Sequence, residues 1–439
     1  MLYRILKWLV GLGIRMYYKE VRIQGSERIP SEGPVILIAN HPNTLMDAWM
    51  VGYASKRKVH FLAKATFFNS PFKKRVLRTL GMIPINRKSD GATTGVSNKD
   101  SFEACYKLLE QGEVLVVFPE GTSYLERRLR QLKTGTARIA LEVEKRNGGK
   151  LDVHIVPVGL NYIDADTFRG KVMIHIGKPI SLSEDLVEDY SKTPGKAAQQ
   201  LTEQFRIALS RVFVTMDDAI KETVSDKLRW IFDTRYANRG AQVETSIQLL
   251  RTIQAKMDSF ALTTPWKVEA ISKQVAELEQ DLVKAGIRPD FLDRPYRATL
   301  YSRQFVQTTI FLMACFPLFL FGWLHNIAAY KFIGFVVPKM SKDVEYHAPL
   351  VVLLGLLLYP ITYLVFWLSA DAFLELWWWQ ELIYLGVMPL SGIFAHYYVR
   401  SYHHLRSKRK FSRFARKRRA FFEEVKSKRE KLKDLIFSE

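Results

Sequence analysis

Two periodicities of apolar and polar positions alternate along the first half of the chain. Val35-Ile36-Leu37-Ile38-Ala39 is a short, uninterrupted apolar run rich in β-branched residues. Val59 to Ala63, Val114 to Phe118, His154 to Leu160 and Lys171 to Ile176 are similar. Between them, helical spacing predicts helices near 44–54, 71–80, 99–111 and 134–146. Apolar strands interleaved with helices predict an α/β domain with a mostly parallel, buried sheet over residues 21–195.

The flanks read differently. In residues 1–20, Leu2, Ile5, Leu6, Leu9 and Val10 recur at helical spacing with Arg4, Lys7 and Arg15 among them. This is too charged for a spanning helix, and a small-residue cleavage site is missing. The reading is an amphipathic helix lying in the membrane interface, the alternative being a helix packed on its own domain. Residues 196–303 carry long amphipathic patterns with almost no strand signal, so three or four helices are expected. They end at the Gly286-Ile287-Arg288-Pro289 and Arg294-Pro295 breaks. Residues 304–399 then turn apolar. Phe305 to Leu324, Ala348 to Ala370 and Leu382 to Val399 are each long enough to span, and Asn326 to Pro338 is a shorter apolar stretch. Two to four transmembrane helices are expected, with Trp377-Trp378-Trp379 at an interface.

Composition narrows the classes. Hydrophobic residues make up 48% of the 439 and aromatics 13%, which excludes a disordered chain. Two cysteines exclude a disulfide scaffold. The net charge of +21 beside this hydrophobicity leaves nucleic acid or an anionic membrane as partner. From Arg400 to Glu439, fifteen basic residues face five acidic ones. Phe411, Phe414, Phe421 and Phe422 interleave with these charges, a pattern that single-stranded nucleic acid also accepts. Directly after an apolar segment, the run reads instead as a basic tail, residues 400–439, held by anionic lipid on the cytoplasmic side. No nucleic acid is expected. If the α/β domain is cytoplasmic too, the number of spans is even.

The chemistry gathers at strand ends. Asn40-His41-Pro42-Asn43-Thr44-Leu45-Met46-Asp47 follows the first predicted strand, where open α/β sheets place ligand sites. Histidine is the side chain that titrates near neutrality, which suits His41 to be a general base. Asp47 can accept its other ring N–H. On one regular helix, six positions would turn the two side chains about 120° apart. His41 therefore belongs in a loop and Asp47 in the following helix. The alternative is that Thr44 and Asp47 form a capping box. Three more blocks follow in order: Gly81-Met82-Ile83-Pro84-Ile85-Asn86-Arg87, Phe118-Pro119-Glu120-Gly121-Thr122-Ser123, and Val156-Pro157-Val158-Gly159-Leu160-Asn161.

This ordered set, over about residues 30–185, resembles the glycerophosphate and lysophospholipid acyltransferase family. The resemblance implies direct transfer of a fatty acyl group from a thioester to a hydroxyl in phospholipid biosynthesis. His41 would take the hydroxyl proton and Asp47 would orient His41. Arg87 would grip the acceptor phosphate, as a planar guanidinium suits phosphate oxygens. Glu120, Gly121, Thr122 and Ser123 would form the acceptor-site turn. Lys133, ahead of Thr134-Gly135-Thr136, would add a second phosphate contact at a helix start or simply decorate that boundary. Pro157 would shape the pocket wall. No metal and no redox cofactor is implied. Acyl-coenzyme A or acyl-acyl carrier protein would serve as co-substrate, and membrane lipids and the acyl donor are the expected partners.

Two departures bear on the acceptor. Five residues separate His41 from Asp47 where four are common, and Ser123 stands where Arg is common. Both are similar to eukaryotic members accepting glycerol-3-phosphate or dihydroxyacetone phosphate, which favours a small polyol phosphate over lysophosphatidate. Arg127, Arg128 and Arg130 either replace the missing charge or form a solvated basic face. The competing expectation is a lipid-binding or scaffold membrane protein on the same fold with its catalysis lost.

Overall fold

The computed structural model describes residues 2–86, 98–216, 218–234, 243–293 and 298–437. Two compact units make up the chain: Met1–Asp217 with Asp343–Val352, and Asp218–Lys342 with Leu353–Glu439.

The first unit is built on a seven-stranded sheet. Its strands are β1 Glu20–Gln24, β2 Val35–Ala39, β3 Val59–Lys64, β4 Met82–Ile85, β5 Val114–Val117, β6 His154–Ile163 and β7 Lys171–Ile176. Their order is β1-β7-β6-β2-β5-β3-β4. Every neighbouring pair is parallel except β6 with β7. The mostly parallel sheet expected from the sequence is therefore present, with two strands more than the five apolar runs. β1 and β4 are the two edges. Glu20-Val21-Arg22-Ile23-Gln24 alternates polar and apolar residues, and Met82-Ile83-Pro84-Ile85 is four residues with a proline, so neither presents a buried-strand pattern.

The helices of this unit are α1 Leu2–Tyr17, α2 Thr44–Ala54, α3 Pro71–Thr79, α4 Asn98–Glu110, α5 Gly135–Arg146, α6 Glu184–Lys192 and α7 Pro194–Val212. Strand alternation turns Ile36 and Ile38 to one face, where they join Leu115, Val117 and Ile155. Cys105 and Leu109 of α4, Ala137 and Ala140 of α5, and Leu201, Phe205 and Leu209 of α7 close over them. The stripe of α7 thus belongs to the α/β core, and this core runs past residue 195. α2 packs against β6 and β7, and α1 against α2. α1 is divided between the two readings of the first helix: Gly11, Gly13, Ile14 and Tyr17 are buried, whereas Leu2, Ile5, Trp8 and Leu12 are exposed.

The second unit contains α8 Ala219–Phe232, α9 Val243–Thr263, α10 Pro265–Ala285, α11 Ala298–Ala314, α12 Phe316–Met340, most of α13 His347–Leu374, α14 Trp378–Lys417 and α15 Arg419–Phe437. Leu228, Ile253, Met257, Ile271, Leu278 and Leu282 of α8–α10 share one core with Phe411, Phe414, Phe422, Val425 and Leu432. The basic tail is therefore two helices folded into this bundle. Phe411 stacks on Phe291 at 4.7 Å, and Lys428 pairs with Asp281 at 2.7 Å. Phe411, Phe414 and Phe422 are buried and cannot stack on bases.

Three helices among the described residues are long and apolar enough to cross a membrane: Phe316–Met340, Val344–Leu374 and Trp378–Lys417. The stretch Phe305 to Leu324, read as one span, is divided at Cys315 between α11 and α12. Pro317 starts the new helix, and the short stretch Asn326–Pro338 becomes the rest of α12. α12 lies closely against α14. A Cβ on Gly322 would collide with the Ser391 carbonyl, and the Asn326 amide donates to the Met388 carbonyl at 3.2 Å.

Candidate active site

The site sits at the carboxyl ends of β2 and β5. β2 is fully buried and pairs with β5 and β6, so the loop leaving it has fixed walls on both sides. Asn40 clamps that loop: its side chain accepts from Leu160 N at 2.7 Å and donates to Leu160 O at 3.1 Å. His41 follows, and Thr44 opens α2 with a φ of 42°, in the left-handed region that a Thr rarely adopts. This turn absorbs the five-residue interval and brings Asp47 under the imidazole.

His41 Nδ1 lies 2.9 Å from Asp47 Oδ2. The ring stacks on Phe118 of the β5 loop, with centroids 4.0 Å apart and planes 14° apart. Nδ1 is thereby engaged by the carboxylate, which leaves Nε2 for proton exchange. Asp47 is fully buried and meets three donors. Besides His41, Asn43 N donates to Oδ2 at 2.6 Å and the Tyr162 hydroxyl donates to Oδ1 at 2.7 Å. Burial pushes the Asp47 carboxyl above its ordinary range, and the contacts with His41, Asn43 and Tyr162 pull it back. Burial, with the Asp47 charge second, pushes the Tyr162 phenol well above its own range, so it stays protonated and donates.

Glu120 is the second buried carboxyl. Its Oε1 accepts the His41 backbone N–H at 3.0 Å, and its Oε2 accepts the Arg130 backbone N–H at 3.2 Å. Each oxygen thus ties one loop to the turn, and Tyr124 N adds a bond to His41 O at 3.3 Å. Burial is the largest influence on Glu120 and raises its pKa. Gly121 has a φ of 75°, and a Cβ there would stand 2.5 Å from Lys133 Nζ. Only glycine lets the Lys133 stem cross the turn this closely. Thr122 and Ser123 are half-buried in the same loop, and Lys133 is exposed.

The structure therefore brings His41, Asp47, Glu120, Gly121 and Lys133 together. Pro157 sits within β6 in register with Ile38, where its carbonyl accepts from Gly177 N at 2.8 Å. Arg87 lies outside the described residues. Arg130 stacks over the Tyr124 ring at 3.6 Å and pairs with Glu126 at 2.9 Å, and Arg127 donates to the Tyr162 carbonyl at 3.3 Å. Tyr162 is the residue that the sequence reading missed. Its position at the carboxyl end of β6, two residues after Leu160, was the available signal. Thr44 also carries a contact with no local signature: its hydroxyl donates to the Glu345 carbonyl at 3.0 Å, within the first unit.

Residues 20–161 match the Acyltransferase family model, and that stretch contains His41, Asp47, Glu120, Gly121, Lys133 and Pro157. Among characterised relatives, the chain is similar to Glycerol-3-phosphate O-acyltransferase 1 of Saccharomyces cerevisiae, 22% identical over 324 residues, 54% of this chain and 43% of the relative. It is also similar to a 1-acyl-sn-glycerol-3-phosphate acyltransferase of Borreliella burgdorferi, 27% identical over 203 residues, 46% of this chain and 72% of the relative. A crystal structure of the 1-acyl-sn-glycerophosphate (LPA) acyltransferase PlsC from Thermotoga maritima aligns with a TM-score of 0.32 at 23% identity, covering 45% of this chain and 79% of that one. The chain spans less than half the length of the yeast relative.

Proposed function

We propose that this protein is a membrane acyltransferase of phospholipid biosynthesis. It moves a fatty acyl group from an acyl thioester, carried by coenzyme A or acyl carrier protein, to a hydroxyl of glycerol-3-phosphate or a related polyol phosphate. Lysophosphatidate is the alternative acceptor, supported by the name of the bacterial relative. The observation that carries the reading is the His41–Asp47 pair, 2.9 Å apart, with the carboxylate fully buried and held by two further donors.

In this reading His41 Nε2 accepts the proton of the acceptor hydroxyl as its oxygen attacks the thioester carbonyl. The imidazolium that forms faces Asp47, which stabilises it without taking the proton. As the tetrahedral adduct collapses, the C–S bond breaks, the ester C–O bond remains, and the proton passes from His41 to the departing thiolate. Glu120 acts on the backbone: it holds the His41 loop against the loop before Arg130. Lys133 supplies positive charge for the acceptor phosphate. The scaffold reading rests on the five-residue His41–Asp47 interval, on Ser123 and on the large helical region beyond the α/β domain.

The protein is proposed to be integral to the membrane with its catalytic unit and basic helices on the cytoplasmic side. The charge of the 400–439 segment supports this. Residues before α11 and after Phe411 share one core, which supports an even number of crossings between them. Labelling of single engineered cysteines from each side of the membrane tests it.

The deciding assay offers labelled acyl-coenzyme A with glycerol-3-phosphate, dihydroxyacetone phosphate or lysophosphatidate, separately, to wild type and His41→Ala. Loss of the base lowers turnover about 10²–10⁴-fold. An acceptor acylated equally by both proteins overturns the assignment of His41. If no acceptor is acylated from either acyl-coenzyme A or acyl-acyl carrier protein, the scaffold reading replaces this one.

A further inference from the structure

The helix α3 is well formed and packs on β4 and the preceding turn, yet it leaves much of its surface open. Ser70 caps it, accepting from Lys73 N at 3.3 Å, and Pro71 occupies its first turn. None of its residues is buried. Phe72 is 77% exposed, and Phe67 of the preceding 3-10 turn Ala65–Phe68 is 54% exposed. With Val76 and Leu77 they line an open apolar hollow of about 300 Å³. Around it, Lys73, Lys74, Arg75 and Arg78 are all exposed. The sequence from Val59 to Asn86 contains no Asp or Glu at all.

We infer that α3 and Phe67 form a docking surface for an anionic lipid bilayer, separate from the helices that cross it. Charge selects this occupant. A second copy of the same basic patch would meet its own sign, and the chain as a whole carries +21. An anionic headgroup layer offers both the counter-charge for the four cations and the apolar depth for Phe67 and Phe72. A bilayer is also always at hand, because the same chain contains three helices fit to cross one. α3 follows the carboxyl end of β3, which runs parallel to β5 and hence to β2, the strand that ends at His41. Docking would therefore seat the carboxyl edge of the sheet, where the site lies, against the lipid surface. The docking itself does not depend on the acyltransferase reading.

The test uses the full chain in nanodiscs, with Phe72→Cys carrying a nitroxide and Cys315→Ser removing the less buried native thiol. Discs contain either phosphatidylcholine alone or phosphatidylcholine with phosphatidylglycerol. The proposal expects the label at position 72 to become about tenfold more accessible to oxygen, relative to a water-soluble nickel complex, in the anionic discs. Replacing Lys73, Lys74, Arg75 and Arg78 together by Gln should abolish that gain. Because all these positions are exposed, the fold is not at stake, and acyl transfer measured on the same samples reports separately on the function. A label that stays fully open to the nickel complex in both lipids overturns the proposal. So does equal protection in both lipids, and so does dipolar coupling between labels on two copies, which would make a second copy the occupant.

Discussion

Replacing Tyr162 by Phe deletes one hydroxyl and keeps the ring that lies 5.9 Å from Tyr18. The hydroxyl is 2.7 Å from Asp47 Oδ1, and Asp47 has no exposure to water. A hydrogen bond to a charged group is worth about 1.5–3 kcal/mol, and a buried oxygen left without its donor costs a similar amount. Tyr162 favours the charged carboxylate, so its removal raises the already raised Asp47 pKa further. At about 1.36 kcal/mol per pH unit, the acid limb of kcat should move up by roughly 1–2 units. Below that limb Asp47 is protonated and no longer supports the imidazolium. At a fixed neutral pH the expected loss in kcat is about 10–30-fold, equivalent to about 1.4–2 kcal/mol in the barrier. KM for the acceptor should change by less than about twofold, because Tyr162 acts through Asp47 and not on substrate. The assay is steady-state acyl transfer from pH 5 to 9 for wild type and Tyr162→Phe. An unchanged acid limb with reduced kcat would refute the reasoning, since a merely structural loss does not move a titration.

Two further outcomes follow from the packing. Glu120 and Asp47 both have folded pKa values raised by burial, so the folded state keeps these protons to higher pH than the unfolded chain. Their contribution to stability is present below the ordinary carboxyl pKa and is lost as pH rises through the raised values. Glu120→Gln should flatten its share of this fall, and thermal unfolding from pH 4 to 7 should show a wild-type-minus-variant difference that changes with pH. A pH-independent difference would show that Glu120 does not titrate in this range. In the second unit, Phe411→Ala empties a fully buried position stacked on Phe291 and should cost about 3–5 kcal/mol. Limited proteolysis of α15 should then accelerate while wild type resists; equal cleavage rates would contradict the shared core.

Residues that speak through local pattern were legible in the sequence. β2 is a continuous apolar run because it is covered on both faces, and α2 starts at the predicted Thr44. His41, Asp47 and the Phe118–Ser123 block were legible for another reason: each stands at a strand end in a fixed order. What escaped is held by partners distant in sequence. Tyr162 reaches Asp47 across 115 positions, and the Glu120 side chain reaches the His41 backbone across 79, ties that no local pattern signals. The 400–439 charges likewise pointed outward to lipid. They conceal a Phe411–Phe414–Phe422 stripe whose partners, on α8–α10, come from more than 100 residues earlier. Edge strands β1 and β4 escaped because half-buried positions tolerate the polar and proline residues that a central strand excludes.

The bond from Thr44 to the Glu345 carbonyl has a consequence for how the protein is made. Strands and helices up to Val212 emerge from the ribosome as one stretch, and the sheet with its His41–Asp47 pair can close at that stage. Asp343–Val352, the last piece of the same unit, is synthesised roughly 6–25 s later at the usual 5–20 residues per second. It comprises the turn after α12 and the first residues of α13, two of the helices fit to cross a membrane. The turn that carries Thr44 therefore gains this partner only after α12 has been synthesised. A nascent chain stalled before residue 343 would carry the pair with its flanking turn still unanchored.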